Sequence, residues 1–226
     1  MKPIHVHAGV YQVGGDGLSG GSDCLCYAVD CGQGEIALID CGVRSKNRIL
    51  ENIQEAGMDY KKIGHIFITH IHIDHTGAAH SFQEEFPKAI FYAHEQEVPA
   101  LEGDPGTSKL TAASWYGVEY LPIRIQHKIK GKEEVITIGN LKFHCVHIPG
   151  HTTGSMALYC DVDGKRVLFG QDVHGPIMPE FGSNPHDYEE SLHKMMTFDA
   201  DILCEGHYGI MVGKTRVKDF IESFLH

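Results

Sequence analysis

The first half of the chain contains apolar residues at two kinds of spacing, one typical of strands and one typical of helices. Apolar or alternating runs of the strand type occupy residues 10–13, 24–30, 35–40, 65–69 and 89–93. The second and third runs are separated by Cys-Gly-Gln-Gly, which is typical of a hairpin turn. Apolar residues at helical spacing predict helices from residue 44 to Gly57 and from residue 76 to 86, the latter ended by Pro87. We therefore expect strands and helices to alternate here.

The second half favours another sheet. Short strand-type runs, separated by turns with glycine, recur at residues 135–138, 141–147, 156–160, 166–169 and 202–205. Helical spacing returns at residues 187–196 and 216–224. Residues 14–21 are rich in glycine and predict a flexible loop that is a candidate cover for a site. Residues 94–128 give mixed signals, and for Trp115 and Tyr116 within them we favour core packing over lining a pocket.

Length, charge and cysteine content narrow the class of protein. The chain has 226 residues, 42% of them hydrophobic, which fits a single domain over residues 1–226. No apolar run approaches the ~20 residues that span a bilayer, and the amino terminus lacks a secretory pattern. The net charge of −11 disfavours nucleic acid as a partner. Seven cysteines, an odd number, favour a reducing compartment. We expect a cytoplasmic protein with a small-molecule substrate and no membrane partner.

Four cysteines lie close together near the amino terminus. They are Cys24, Cys26, Cys31 and Cys41. Their spacing differs from the paired Cys-x₂-Cys of zinc ribbons, so a thiolate metal site is the weaker interpretation. The stronger one is that Cys24 and Cys26 share one face of a strand.

The densest group of candidate metal ligands follows the run at residues 65–69. Within Thr-His-Ile-His-Ile-Asp-His-Thr-Gly, the ligand types are His70, His72, Asp74 and His75. In an extended segment His70 and His72 project to the same side, whereas Asp74 and His75 can point elsewhere. One loop could therefore serve two metal ions. Burying three imidazoles and a carboxylate together without a metal would be costly.

Three later strand ends each carry one more candidate. His151 follows a strand on a turn framed by Gly150 and Gly154, Asp172 ends the run at 166–169, and His207 follows the run at 202–205. Taken singly, each is more often an ordinary turn or surface residue. Their order along the chain changes that interpretation.

The series His-x-His-x-Asp-His, Gly-His, Asp and His resembles that of the metallo-β-lactamase superfamily. The matching positions are 70, 72, 74, 75, 151, 172 and 207. With the Asp40-Cys41-Gly42 element ahead of them, the resemblance covers nearly the whole chain. It implies an α/β (α+β) fold, a four-layer αββα sandwich of two mixed β-sheets flanked by helices.

The resemblance also implies a dinuclear site. His70, His72 and His151 would bind the first metal, Asp74, His75 and His207 the second, and Asp172 would bridge the two. Such a ligand set suits zinc first, with iron or manganese as alternatives. By the same resemblance, Asp40 and Thr69 would orient the ligating histidines, although Asp40 could instead cap a turn.

Two divalent ions would make hydroxide available to attack an ester, thioester or lactone carbonyl, with Asp74 as proton acceptor. Comparison with members of the superfamily disfavours three specific activities. β-Lactamases of this fold generally lack the bridging aspartate, and glyoxalase II enzymes add a helical domain. Acyl-homoserine lactonases have a tyrosine at the position of Gly175. The alternatives left open are a mononuclear iron enzyme of the persulfide dioxygenase type, β-lactamase or phosphodiesterase activity, and a non-catalytic metal protein. The chain is also a candidate to form a homodimer.

Two residues beside the ligands are further catalytic candidates. His174 follows Asp172 by two residues and could donate a proton to a leaving group. Tyr208 is adjacent to His207 and could polarise a carbonyl. A loop histidine or tyrosine that is merely solvated is the competing interpretation for both.

Overall fold

Strands of the amino-terminal half form the first sheet. The computed structural model describes residues 2–225, and within them this sheet has seven strands in sequence order. They are β1 (Ile4–His7), β2 (Val10–Gln12), β3 (Tyr27–Asp30), β4 (Ile36–Ile39), β5 (Ile63–Phe67), β6 (Ile90–His94) and β7 (His127–Ile129). Neighbours from β1 to β4 are antiparallel, and those from β4 to β7 are parallel, so the sheet is mixed.

The carboxy-terminal half supplies the second sheet. In the described residues it has six strands, in the spatial order β13-β12-β11-β10-β9-β8. They are β8 (Glu133–Ile138), β9 (Leu141–His147), β10 (Met156–Val162), β11 (Lys165–Gln171), β12 (Ile202–Glu205) and β13 (Ile210–Val212). β11 and β12 are parallel, and the other pairs are antiparallel.

The described residues form six α-helices, which are α1 (Lys46–Glu55), α2 (Ile73–Thr76), α3 (Ala79–Glu85), α4 (Val98–Leu101), α5 (Pro185–Met196) and α6 (Lys214–Glu222). α1 and α3 cover the outer face of the first sheet, and α5 and α6 cover that of the second. One core joins the first sheet to α1 and α3, a second lies between the sheets around Phe67, Phe143 and Phe169, and a third joins the second sheet to α5 and α6. These three apolar layers separate four layers of structure and confirm the predicted αββα sandwich.

Most predicted elements form, and the helix expected over residues 76–86 is present as α3, with a later start at Ala79. It starts there because the short helix α2 ends at Thr76 and the Ala78 N–H donates to the Gly42 carbonyl. Gly77 permits this close approach: a Cβ there would lie 2.5 Å from the Val43 carbonyl oxygen. The strands β1, β7 and β13 and the helix α4 were not predicted, because three or four residues show no measurable period.

Residues 14–21 are not the flexible cover that their glycines suggested. Leu18 is buried, and the buried Asn52 of α1 donates to the carbonyls of Val13 and Leu18 at 2.7 and 3.3 Å. These residues pack against α1 and do not line the cavity described below. Within the part of the chain that the structure describes, no helix has the length and apolar character needed to cross a bilayer.

Candidate metal centre

The carboxyl ends of five strands deliver the candidate ligands and Asp40, which contacts one of them. β4 and β5 run parallel in one sheet, and β11 and β12 run parallel in the other. β9 has the direction of β11, because both are antiparallel to β10. The chain segments that follow these strands contain Asp40, residues 70–75, His151, Asp172 and His207. Segments that follow strands are held in position by the rigid sheet before them, as is common for binding residues.

Three histidines form the first group. His72 Nδ1 lies 3.1 Å from His70 Nε2 and 2.9 Å from His151 Nε2. His70 and His72 reach one point because the backbone between them is extended, with φ −58° and ψ 145° at His72. The Oδ2 atom of Asp172 completes the group, 3.4 Å from His151 Nε2 and 3.8 Å from His70 Nε2.

The other oxygen of Asp172 belongs to a second group. Asp172 Oδ1 lies 3.1 Å from His75 Nε2 and 3.4 Å from His207 Nε2. Asp74 Oδ2 lies 3.1 Å from the same nitrogen of His207 and 3.7 Å from that of His75. The structure thus brings all seven predicted ligands into two adjoining groups that share one carboxylate.

Hydrogen bonds outside the groups orient the imidazoles. His75 Nδ1 donates to Asp40 Oδ2 at 2.8 Å, and His151 Nδ1 donates to a backbone carbonyl of the loop after β11 at 3.0 Å. The Thr69 hydroxyl donates to Asp40 Oδ2 at 2.7 Å and lies 3.2 Å from His70 Nδ1. With the proton on Nδ1 of His75 and of His151, the Nε2 atom of each ring presents a lone pair to its group.

The donor set fits a pair of metal ions. Nitrogens bound tetrahedrally to one zinc at ~2.0–2.1 Å lie about 3.4 Å apart, close to the separations found here. Burial and the adjacent His75 lower the pKa of His70 well below its usual range, and burial and His151 lower that of His72 to about 3, so both rings are neutral. The buried His75 Nε2 and Asp172 Oδ1 have no hydrogen-bond partner. A cation would satisfy these atoms.

A cavity of about 160 Å³ opens onto both groups. Apart from the candidate ligands and His174, the residues that line it are Ala112, Trp115, Tyr116, Pro176, Met178, Phe181 and Ser183. The expectation that Trp115 and Tyr116 pack in the core is wrong, since they are 59% and 38% exposed at this cavity. Two short 3₁₀ turns, at Ser108–Thr111 and Ala113–Tyr116, bring them there.

The two further catalytic candidates occupy different positions. His174 lines the cavity, and its Nδ1 donates to Glu205 Oε1 at 2.8 Å, which leaves Nε2 available to a substrate. Tyr208 is outside the lining and 62% exposed, with its ring 4.9 Å from that of His174. The phenol that does line the cavity is Tyr116, whose pKa is raised by burial and by Asp74 and Asp172, so that it stays a hydrogen-bond donor.

Sequence reasoning missed two buried glutamates that hold the site loops. Glu205 Oε2 accepts from the backbone N–H groups of His207 and Tyr208 at 2.6 and 2.7 Å. Glu97 Oε1 accepts from the Thr152 hydroxyl at 2.8 Å and the Gly154 N–H at 2.6 Å, beside His151. The sequence feature that could have identified Glu205 is its position as an acid at the end of the apolar run 202–205. No comparable sequence feature marks Glu97, because Thr152 and Gly154 are more than fifty positions away in the sequence.

Comparison with known proteins identifies the family. The sequence model of the metallo-β-lactamase superfamily matches residues 19–207, and the chain belongs to this superfamily. It has the fold and the His/Asp groups of a metallo-hydrolase.

Individual relatives agree with this assignment. The chain is 30% identical over 185 residues to an uncharacterised protein of Aquifex aeolicus, covering 78% of this chain and 80% of that protein. It is 27% identical over 198 residues to the hydroxyacylglutathione hydrolase GloC of Haemophilus influenzae, covering 83% and 87%. Among solved structures, the metallo-β-lactamase GOB-18 of Elizabethkingia meningoseptica superposes with a TM-score of 0.75 at 27% identity, covering 92% of this chain and 77% of that one.

Proposed function

We propose that this protein is a hydrolase that holds two divalent metal ions and cleaves an ester, thioester or lactone. The observation that carries the proposal is the position of Asp172, whose two oxygens each face a separate set of nitrogens. Zinc suits three nitrogens and a carboxylate, and iron or manganese are the alternatives. His70, His72 and His151 would hold one ion, and Asp74, His75 and His207 the other.

Two bound ions would supply hydroxide at neutral pH and polarise the carbonyl that is attacked. The chain's own residues supply the rest. Asp74 lines the cavity with its Oδ2 atom 3.1 Å from His207 Nε2, and its carboxylate is placed to accept the proton of the attacking water. His174 Nε2, held in place through Glu205, is positioned to hydrogen-bond a leaving group. Tyr116 is positioned to donate to an oxygen that gains negative charge.

Tyr208 keeps a supporting role in this proposal. Its ring lies 4.9 Å from that of His174 and 6.0 Å from that of Phe220 of α6. This packing restricts the His174 side chain, and direct contact between Tyr208 and a substrate would require the substrate to extend beyond the cavity. The carbonyl-polarising role predicted for Tyr208 therefore passes to Tyr116 in our proposal.

The relatives support hydrolysis of an acyl bond, because one of them is a hydroxyacylglutathione hydrolase. The GOB-18 structure makes β-lactam cleavage the second activity to assay. A phosphodiester is less suited, because among the described residues none of those lining the cavity is Lys or Arg.

The first experiment is elemental analysis of protein purified without added metal. We expect about two zinc ions per chain and metal-dependent hydrolysis of at least one compound in a panel of thioesters, aryl esters, lactones, a chromogenic cephalosporin and a phosphodiester. About one iron per chain, with oxygen uptake on glutathione persulfide, would instead support the persulfide dioxygenase alternative.

The bridging carboxylate is tested directly by Asp172→Asn. Because Asn keeps the size of Asp but loses its charge, we expect less than one retained ion per chain. We also expect activity to fall by more than about 100-fold, which exceeds the loss typical when only an orienting partner of a ligand is removed. Asp219→Asn is the matched control, since Asp219 is exposed on α6. Full activity and two ions in Asp172→Asn would overturn the dinuclear proposal.

A further inference from the structure

One side of the cavity is built from large apolar side chains that hold no metal-ligand candidate. Trp115 and Tyr116 come from the 3₁₀ turn Ala113–Tyr116, and Met178 and Phe181 come from the segment between β11 and α5. The Trp115 and Phe181 rings meet edge to face, with centroids 4.8 Å apart. We name these four residues the apolar wall.

The apolar wall adjoins the reacting end of the cavity. Phe181 lies edge-on to the ligand candidate His72, with ring centroids 6.3 Å apart. A compound bound with its carbonyl at the metal groups would therefore place its neighbouring atoms against Phe181 and Trp115. The cavity, at about 160 Å³, is smaller than the roughly 300–1,000 Å³ of pockets for drug-sized ligands. The remainder of a longer substrate would lie along the exposed face of Trp115.

Beyond the two ions that the proposed function places at the metal groups, the lining carries no positive side chain to receive the charged groups of a carrier. Within residues 2–225 the charged side chains that line it are Asp74 and Asp172, apart from the histidines, and both belong to the metal groups. A cation next to Tyr116 is Arg44, which is exposed in a separate depression with Val118. Recognition of carboxylates and phosphates ordinarily uses paired cations or a helix N-terminus, and the apolar wall offers neither.

The exposure of the wall also points to a ligand. Trp115 is 59% exposed and Tyr116 is 38% exposed, although burying aromatic surface away from water lowers the free energy of the protein. Exposed apolar surface beside a cavity is typical of a binding groove. Met178 adds an adaptable side chain that fits substituents of different shape.

We propose that the substrates are uncharged esters or thioesters whose apolar substituent packs against the apolar wall, and that the cavity discriminates against anionic carriers such as glutathione and coenzyme A. This inference rests on the proposed hydrolase function and names its substrate class. It separates this chain from the hydroxyacylglutathione hydrolase to which it is similar.

Binding is tested without catalysis, because Trp115 is the single tryptophan of the sequence. Its fluorescence can be titrated with two stable thioethers that share a hexyl group, S-hexyl-N-acetylcysteamine, which is neutral, and S-hexylglutathione, which is anionic. We expect a saturable change with the neutral compound at a concentration at least tenfold lower than with the anionic one. Phe181→Ala should weaken the neutral response, whereas Leu121→Ala, at an exposed apolar position outside the lining, should leave it unchanged.

Selectivity is tested with thioesters that differ in carrier alone. For hexanoyl-N-acetylcysteamine and hexanoylglutathione we expect kcat/KM to be at least tenfold higher for the neutral carrier. Across acetyl, butanoyl and hexanoyl groups on the neutral carrier, kcat/KM should rise by up to about fourfold per methylene that packs on the wall. Trp115→Ala should flatten this dependence with metal content unchanged, and Trp115→Phe should keep most of it.

The outcomes separate the two proposals. If fully metal-loaded protein cleaves no compound of the panel, the hydrolase function fails, while the fluorescence titration still decides whether the wall prefers a neutral ligand. If glutathione thioesters are cleaved as well as neutral ones, and Arg44→Ala removes that activity, the hydrolase function stands and the proposed neutral substrate class is wrong.

Discussion

Asp40 and His75 are joined by a 2.8 Å hydrogen bond from Nδ1 of the imidazole to Oδ2 of the carboxylate, and both side chains are buried. The same carboxylate accepts the backbone N–H of Thr69 at 2.9 Å and its hydroxyl at 2.7 Å. Asp40 adopts a left-handed backbone conformation, with φ 59°, to make these contacts. Asp40, the residue directly after β4, thus holds the start of the 69–75 segment and the protonated nitrogen of the candidate ligand His75.

Asp40→Ala should therefore weaken metal binding without removing a ligand. We expect the affinity for zinc to fall by about 10- to 100-fold, because His75 loses its orienting acceptor. Competition with a chromogenic chelator measures this affinity. Asp219→Asn, at an exposed helical position, is the control, and an unchanged zinc affinity in Asp40→Ala would show that the loop holds His75 without the carboxylate.

Glu205→Gln tests the second acid that supports the site. Gln retains one oxygen acceptor, but its amide cannot accept from both His174 and the backbone N–H groups of His207 and Tyr208. We expect the free energy of unfolding to fall by about 1–3 kcal/mol and kcat to fall more than KM changes. Urea denaturation and steady-state kinetics measure these, with the exposed Glu222→Gln as control. Loss of stability with kcat unchanged would mean that His174 takes no part in the reaction.

The ligand series was predictable because its geometry is local. Each ligand lies just after a strand whose apolar run is visible in the sequence, and the alternation of side chains puts His70 and His72 on one side. The αββα fold followed from the family resemblance, whose series of motifs runs from Asp40 to His207, and the two groups of strand-type runs agree with it.

The cavity wall was not predictable, because it depends on contacts between distant segments. Trp115 meets Phe181 across 66 positions of sequence, and neither lies in a periodic element. The 94–128 segment contains one four-residue helix, short 3₁₀ turns and β7, none long enough to show a period. Its residues are placed by packing on the rest of the fold rather than by local propensity.

Glu97 should make stability depend on pH in a defined direction. Burial raises its pKa above the ordinary 4.5, although hydrogen bonds from Thr152 and Gly154 partly oppose this. A raised pKa in the folded state means that Glu97 contributes most to stability at pH below its unfolded value, and that this contribution is lost as pH rises through the folded value. Relative to Glu97→Gln, the wild type should thus lose free energy of unfolding as pH rises from about 4 to 7.

Equilibrium urea unfolding of both proteins across this range measures the difference, in which titrations common to both proteins cancel. Glu222→Gln, at an exposed position of α6, should show no such trend relative to wild type. A difference that grows in favour of the wild type with rising pH would indicate that the hydrogen bonds from Thr152 and Gly154 outweigh burial.

Asn52→Ala should destabilise the protein and release residues 14–21. Asn52 is fully buried on α1, and its Nδ2 donates to the carbonyls of Val13 and Leu18. Removal leaves both carbonyls without this donor, so we expect a loss of about 1–3 kcal/mol and faster proteolysis within 14–21. Gln54→Ala, at an exposed position of the same helix, is the control. Because residues 14–21 do not line the cavity, kcat should stay within about twofold, and a large drop in kcat would show that they act on the site from outside the lining.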